Sequence, residues 1–404
     1  MRGTRHGHRI GRREFLAGTT AAAATAFTMV RPSAVRGTTA NETLALGLLG
    51  CGGRGQWIIP FFEKHGKYRF VAVADYYRDR VDEAGDKCKI DASRRYTTLS
   101  GYKRLLDDKI DAIVIETPPY FHPEQAAVAV DAGKHVFLAK PVAVDVPGCV
   151  SIEESGKKAT EKKLVYLVDF QTRANPYYRE VYRRIRDGQI GRLVCGDARY
   201  PCGVMDKQPP KNADDRLRAW YNYQWLSGDF IVEQSIHALD VATWFADAAP
   251  LSAVGTGGSA GLRLYGDDWD HFNLVYKFPK GFALSFYSTQ MVHGAPNEII
   301  CRVYGSQGTA HSDYFSGVSI TGPKPWEGAK FTDLYNSGTE VNIREFYEAV
   351  TSGDCSNKTV APSVRSNLTC ILGRTAAYTG ETVTWDGMMK ANERMEADLS
   401  GLKS

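Results

Sequence analysis

No C-x-x-C pair occurs among the eight cysteines, and no Cys/His group has the spacing of a zinc site. A structural zinc module and a dithiol redox motif are therefore excluded, and no metal ligand set is expected. No apolar run in the body of the chain reaches the ~20 residues of a membrane-spanning helix, so no span is expected in the mature protein. There is no internal repeat, and no low-complexity tract beyond the first forty residues. A strongly basic body is lacking too. The formal net charge is +4, but residues 1–40 carry seven arginines and one glutamate, a net of +6, which leaves 4 − 6 = −2 for the rest. That balance gives no footing for nucleic-acid binding. What remains is a globular composition, 43% hydrophobic and 24% charged over 404 residues, enough for two domains behind a leader.

The leader reads Gly11-Arg12-Arg13-Glu14-Phe15-Leu16, followed by an Ala-, Thr- and Gly-rich stretch as far as Val30. It resembles a bacterial twin-arginine export signal. The expectation is a signal and linker over residues 1–40 and a periplasmic or extracytoplasmic destination, reached already folded. Cysteines that fold in the reducing cytoplasm need no disulfides. Cys195 and Cys202, which flank a candidate strand, could still pair in an oxidising compartment.

The chain is organised around Leu44 to Gly55, L-A-L-G-L-L-G-C-G-G-R-G. A short apolar run reads as a strand buried on both faces and leads into Gly50, Gly52 and Gly55, a G-x-G-x-x-G pattern. Gly50 permits a tight turn, Gly52 a close approach to a pyrophosphate, and Gly55 close packing of the next helix on the strand. Gly53 and Arg54 complete the loop. A second apolar strand, Tyr68 to Ala74, is followed at once by Asp75, twenty residues past Gly55. An acid at that place hydrogen-bonds ribose hydroxyls and favours NAD over NADP; Arg78 could offset that preference.

Further strands end at Glu116, Leu138 and Val168, alternating with helices. The alternation predicts a doubly wound parallel sheet over residues 41–170, a Rossmann domain. From Gly191 onward strands dominate and helices stand aside. An α+β domain with a large, mostly antiparallel open sheet is expected over residues 171–404.

Two constellations carry candidate chemistry. Lys140, before Pro141, sits at the end of a parallel strand, where ligands of such sheets bind; its ammonium could hydrogen-bond a reacting oxygen. Glu233 and His237 stand at i and i+4 of a helix expected from Phe230 to Phe245, with Asp240 near the same face. A histidine beside a carboxylate is a natural general base near neutral pH.

With those residues in view, the chain resembles the glucose–fructose oxidoreductase, inositol dehydrogenase and MocA (Gfo/Idh/MocA) family of dehydrogenases over nearly all of its length after the leader. The carriers are Gly50 to Gly55, Asp75, Thr117-Pro118 with His122, Ala132 to Val136, Lys140-Pro141, Gly188 to Arg192, and Glu233 with His237 to Asp240. The resemblance implies hydride transfer between a nicotinamide and a sugar or polyol carbon. It implies NAD, with NADP open, held by the glycine loop, Asp75, Arg78, Thr117, Pro118, His122 and Lys140. Lys140 matches the lysine of the family's E-K-P motif, and His237 its proton acceptor. Two departures stand out: Ala139 replaces the glutamate of E-K-P, and Glu233 replaces the usual aspartate. Substrate contacts are expected from Gln171, Arg173 and Asn175, and from Tyr221, Asn222, Tyr223, Trp225 and Asp229. Homo-oligomerisation, as a dimer or tetramer through the C-terminal sheet, is implied as well. Two other functions stay open: a glycosidase or lyase using transient NAD-dependent oxidation, and a non-catalytic sugar-binding relative.

Overall fold

A computed structural model describes residues 43–204, 209–212, 214–261, 263, 265–290, 294 and 296–404. The twin-arginine stretch expected in the leader lies outside them. Residues 43–404 belong to one compact unit.

The first part alternates strand and helix: β1 (Leu44–Leu49), α1 (Gly53–His65), β2 (Tyr68–Ala74), α2 (Arg78–Lys87), β3 (Arg95–Tyr96), α3 (Gly101–Asp107), β4 (Ala112–Ile115), α4 (His122–Asp131), β5 (His135–Ala139), α5 (Val146–Glu161) and β6 (Tyr166–Asp169). The six strands form one sheet in the order β3-β2-β1-β4-β5-β6, parallel throughout. This is the doubly wound Rossmann arrangement read from the sequence. Its strands are apolar runs because helices cover both faces. Leu46 and Leu48 enter the core on one side together with Phe62 and Phe137. Leu49, Ile113 and Leu138 enter the core on the other. The order reverses between β1 and β4, so a crevice opens beyond their carboxyl ends.

Two helices follow, α6 (Gln171–Ala174) and α7 (Pro176–Arg186). Asn175 caps α7 by accepting the N–H groups of Tyr177 and Tyr178, and Pro176 occupies its first turn. Next come β7 (Leu193–Pro201), α8 (Gln224–Ser227), α9 (Phe230–Glu233), α10 (Ile236–Ala246), β8 (Ser252–Gly258), β9 (His271–Lys277), β10 (Ala283–Thr289), β11 (Ile300–Gly305), β12 (Thr309–Asp313), β13 (Gly317–Thr321) and β14 (Trp326–Glu327). The chain closes with α11 (Leu334–Ser352), α12 (Val360–Thr379), β15 (Val383–Thr384) and α13 (Trp385–Ala391). The second sheet has nine strands, ordered β14-β13-β12-β11-β7-β10-β9-β8-β15. Only its β7–β10 pairing is parallel. One face packs on helices; the other leaves Val275, Tyr287 and Tyr304 exposed.

The long helix α11 returns to the first sheet. Ile343 and Phe346 complete the core around Leu46, and the Phe346 ring meets Phe137 edge-on at 5.6 Å. All eight cysteines are free, Cys195 exposed and Cys202 buried. The helix expected from Phe230 to Phe245 is broken. Gln234 and Ser235 separate α9 from α10, so Glu233 and His237 do not share a continuous helical face.

Candidate functional site

β1 hands over to α1 through the glycine loop. Gly50 has φ +91°, and a Cβ there would lie 2.6 Å from the main chain of Glu116. A Cβ on Gly55 would lie 2.0 Å from the Gly50 carbonyl oxygen, so only glycine lets the helix approach this closely. Gly52 is the N-cap of α1, with no side-chain cap and no acid in the first turn. The first N–H groups of a 13-residue helix are thus left to an anion, which is what a pyrophosphate requires. Asp75, at the end of β2, accepts the Cys51 N–H at 2.7 Å and the Tyr77 N–H at 3.0 Å. Burial pushes its pKa up, against Arg80 and these two hydrogen bonds. The residues present therefore fit a dinucleotide.

Gly50, Gly52, Gly53, Arg54, Asp75, Thr117, Pro118, Lys140, Tyr221, Glu233 and His237 all line one cleft of about 540 Å³. Lys140, following β5, donates to the Glu233 carbonyl at 2.6 Å, and its Nζ lies 3.3 Å from Glu233 Oε1. His237, in the first turn of α10, stacks on Tyr200 (6.4 Å between ring centres, 17° apart) and meets Tyr314 edge-on at 5.7 Å. Burial, reinforced by the charges of Lys140 and Arg54, drives its pKa well down, so the imidazole is neutral at physiological pH. Its Nδ1 has no hydrogen-bond partner among the described residues. A neutral histidine can accept a hydroxyl proton while the neighbouring ammonium hydrogen-bonds the same oxygen. A bound nicotinamide supplies the hydride acceptor.

Other expected site residues stand elsewhere. Arg78 points to solvent beside Asp82 and Thr97. Two residues along α2 is a turn of ~200°, so Arg80 lines the cleft instead, its guanidinium 4.8 Å from the centre of the Tyr77 ring. His122 is buried, with its ring nitrogens 2.8 Å from the Pro141 and Thr117 carbonyls; it ties two loops together and does not line the cleft. Gln171 is buried against Asp169 at 3.0 Å. Arg173 is paired with Asp240 at 2.8 Å, and neither these two nor Gln171 line the cleft. Asn175 is spent capping α7. Asn222 is buried and accepts from Arg263, and Trp225 packs in an aromatic cluster with Tyr120 and Tyr223. Asp229, at φ +75°, is buried and accepts the Phe230 and Trp269 N–H groups.

Sequence reading missed Glu116, Asp169 and Tyr335. The side chain of Arg54 crosses the ends of β4 and β6. Its Nε is 2.8 Å from Glu116 Oε2, and it is also bonded to Asp169 and Tyr335. Glu116 closes a buried parallel strand, the same signal that singled out Lys140, and could have been found by it.

Residues 44–170 match the model described as an oxidoreductase family with an NAD-binding Rossmann fold, and residues 178–311 match the Gfo/Idh/MocA C-terminal domain. Fold and site thus define an NAD-dependent oxidoreductase. The chain belongs to the Gfo/Idh/MocA family. It is 24% identical to levoglucosan dehydrogenase of Pseudarthrobacter phenanthrenivorans over 298 residues, 68% of this chain and 74% of that protein. It is 26% identical to inositol 2-dehydrogenase of Rhizobium meliloti over 343 residues, 81% of this chain and 94% of that one. A solved levoglucosan dehydrogenase in complex with NADH and levoglucosan shares the fold, with a TM-score of 0.71 at 18% identity, covering 85% of this chain and 99% of the other.

Proposed function

We propose that this protein is an exported NAD-dependent dehydrogenase of a sugar, polyol or glycoside hydroxyl that keeps its cofactor bound between turnovers. One observation carries the reading: Lys140 and neutral His237 share a cleft with the glycine loop and Asp75. Tyr200, Tyr221, Tyr314 and Phe315 line the same cleft and offer ring faces to the C–H surface of a carbohydrate. The two curated relatives are named for levoglucosan and inositol, which supports the same substrate class. Asp75 in the cleft supports NAD, while Arg80, which lines the cleft in place of Arg78, is the cation that could offset that preference.

Retention is supported by a strap over the adenosine end. Tyr76 donates to Asp214 at 2.7 Å, and the Arg218 guanidinium lies 3.8 Å from the centre of the Tyr77 ring and binds Asp79 at 2.7 Å. From the C-terminal tail, Asp398 pairs with Arg216 at 2.6 Å, and Lys403 donates its N–H to Tyr76 while accepting from Leu99. Export rests on the Arg12-Arg13 leader, and it gives retention a purpose where free nicotinamide is scarce. The exposed face of the nine-stranded sheet is assigned to a second copy of the chain.

The test is turnover of free sugars, polyols and glycosides, followed by formation of reduced nicotinamide. Lys140→Ala and His237→Ala should each lower kcat by ~10²–10⁴-fold while the protein stays folded. Full activity in both variants would remove the assigned roles. Release of an aglycone without net NADH would move the reading to redox-neutral glycoside cleavage.

A further inference from the structure

The carboxyl ends of β4, β5 and β6 lie side by side. Ile115 is in register with Leu138, and Ala139 with Asp169. Glu116 and Asp169 therefore flank the Ala139 methyl, and the Arg54 side chain spans the gap. Asp169 is fully used: it also accepts from Asn342 at 2.7 Å and Gln171 at 3.0 Å. Glu116 is not. Both its oxygens are buried, and Oε1 has no hydrogen-bond partner among the described residues. The charges do not balance either, since one guanidinium serves two carboxylates. The other groups facing the cluster leave this unchanged: Lys140 after β5 is held by Glu233 of α9, His237 of α10 is neutral, and Tyr335 of α11 is bonded to Arg54.

A buried uncompensated negative charge takes up either a proton or a cation. With adenosine at β2 and pyrophosphate at α1, the remaining half of a dinucleotide must run over the ends of β4 and β5. In its oxidised form that half carries a cationic ring; reduced, it is neutral. We propose that Glu116 is the carboxylate facing the nicotinamide, so that this site binds NAD+ in preference to NADH when Glu116 is ionised and loses that preference when it is protonated. This rests on the NAD-dependent reading above. Burial, with Asp169 adding to it, raises the Glu116 pKa to about 7 against the pull of Arg54 and Lys140, so the change falls near neutral pH.

The test is the NAD+/NADH affinity ratio of the full chain between pH 6 and pH 8. It is read by competition of NAD+ against fluorescent NADH. Where the nucleotide does not exchange, it is read as the midpoint potential of the bound couple, in which tenfold is ~30 mV. Beyond the pH dependence of the free couple, the preference for NAD+ should fall ~5–10-fold from pH 8 to pH 6. Glu116→Gln should abolish that dependence while still binding ADP-ribose, which lacks the nicotinamide. Glu116→Asp should keep part of it. A ratio that does not vary with pH in the unaltered protein, or the same dependence in Glu116→Gln, overturns the proposal, as does equal weakening of ADP-ribose. Failure of the unaltered chain to bind NAD+, NADH or ADP-ribose would instead overturn the dehydrogenase reading, and this one with it.

Discussion

Gly53 and Gly55 stand two residues apart in the same loop, yet alanine should act in opposite directions at them. At Gly55 the new Cβ would lie 2.0 Å from the Gly50 carbonyl oxygen, against 3.4 Å or more for ordinary contact. Both partners are main chain, so no rotamer change relieves the clash. α1 must move by more than an ångström, and with it Ile58, Ile59 and Phe62, which are fully buried. Overpacking of a well-filled core costs ~1–3 kcal/mol, and a backbone clash belongs at the upper end. A loss of ~3 kcal/mol lowers Tm by ~3–5 °C in a chain of this size. The same displacement withdraws the α1 N–H groups from a pyrophosphate. Losing even one charge-assisted hydrogen bond, worth ~1.5–3 kcal/mol, weakens NAD binding at least ~10-fold. A Cβ on Gly53, by contrast, meets nothing within 4 Å. Alanine there removes a glycine from the start of a helix and should leave stability unchanged or raise it by up to ~0.5–1 kcal/mol, about 1 °C in Tm. Thermal unfolding and NAD titration of the two variants make the comparison. Equal Tm and equal affinity in both, or a worse outcome at Gly53, would refute the close strand–helix approach.

Asp240→Ala strands Arg173 without its partner and should cost ~3–5 kcal/mol, while Arg173→Met should leave the KM for sugar within a few-fold; a large KM effect would return Arg173 to the substrate site. Stability should fall on acidification between pH 6.5 and 4. Burial holds His122 neutral and lowers its pKa from 6.5 to about 4; the unfolded chain protonates first, so up to ~3 kcal/mol present above pH 6.5 is lost as pH drops through that window. His122→Gln should flatten the slope seen in urea titrations, and a flat slope in the unaltered protein would mean a charged His122 donating to both carbonyls. A chain lacking residues 393–404 loses the tail half of the strap and should release NADH ~10-fold faster, a change of ~1.4 kcal/mol; an unchanged rate in stopped-flow fluorescence would remove the strap from retention.

The Rossmann half was legible because parallel strands buried on both faces leave unbroken apolar runs, and because Asp75 and Lys140 lie directly at strand ends. The antiparallel half was legible from its closely spaced strands. The break at Gln234-Ser235 was not, because apolar periodicity runs through it unaltered. Polar residues near the crossover were taken for ligand contacts, but Arg173, Gln171 and Asn175 are consumed by Asp240, by Asp169 and by a helix cap. The Arg173–Asp240 pairing spans 67 residues and leaves no local mark, whereas the Asn175 cap and the Gln171–Asp169 contact lie within three residues. Arg78 was named for its proximity to Asp75 in sequence, which ignores the helical rotation that brings Arg80 into the cleft. Glu116 carries the same strand-end signal as Lys140 but no motif beside it, and its partner Arg54 was read only as part of the loop.

One cleft is proposed to hold a nicotinamide dinucleotide, kept bound, against Lys140 and His237. This assignment is tested most directly by denaturing the purified, folded protein and identifying the released small molecules by mass spectrometry. NAD(H) should be released at close to one per chain. A protein that releases no nucleotide, and then fails to bind added NAD+, would contradict the assignment.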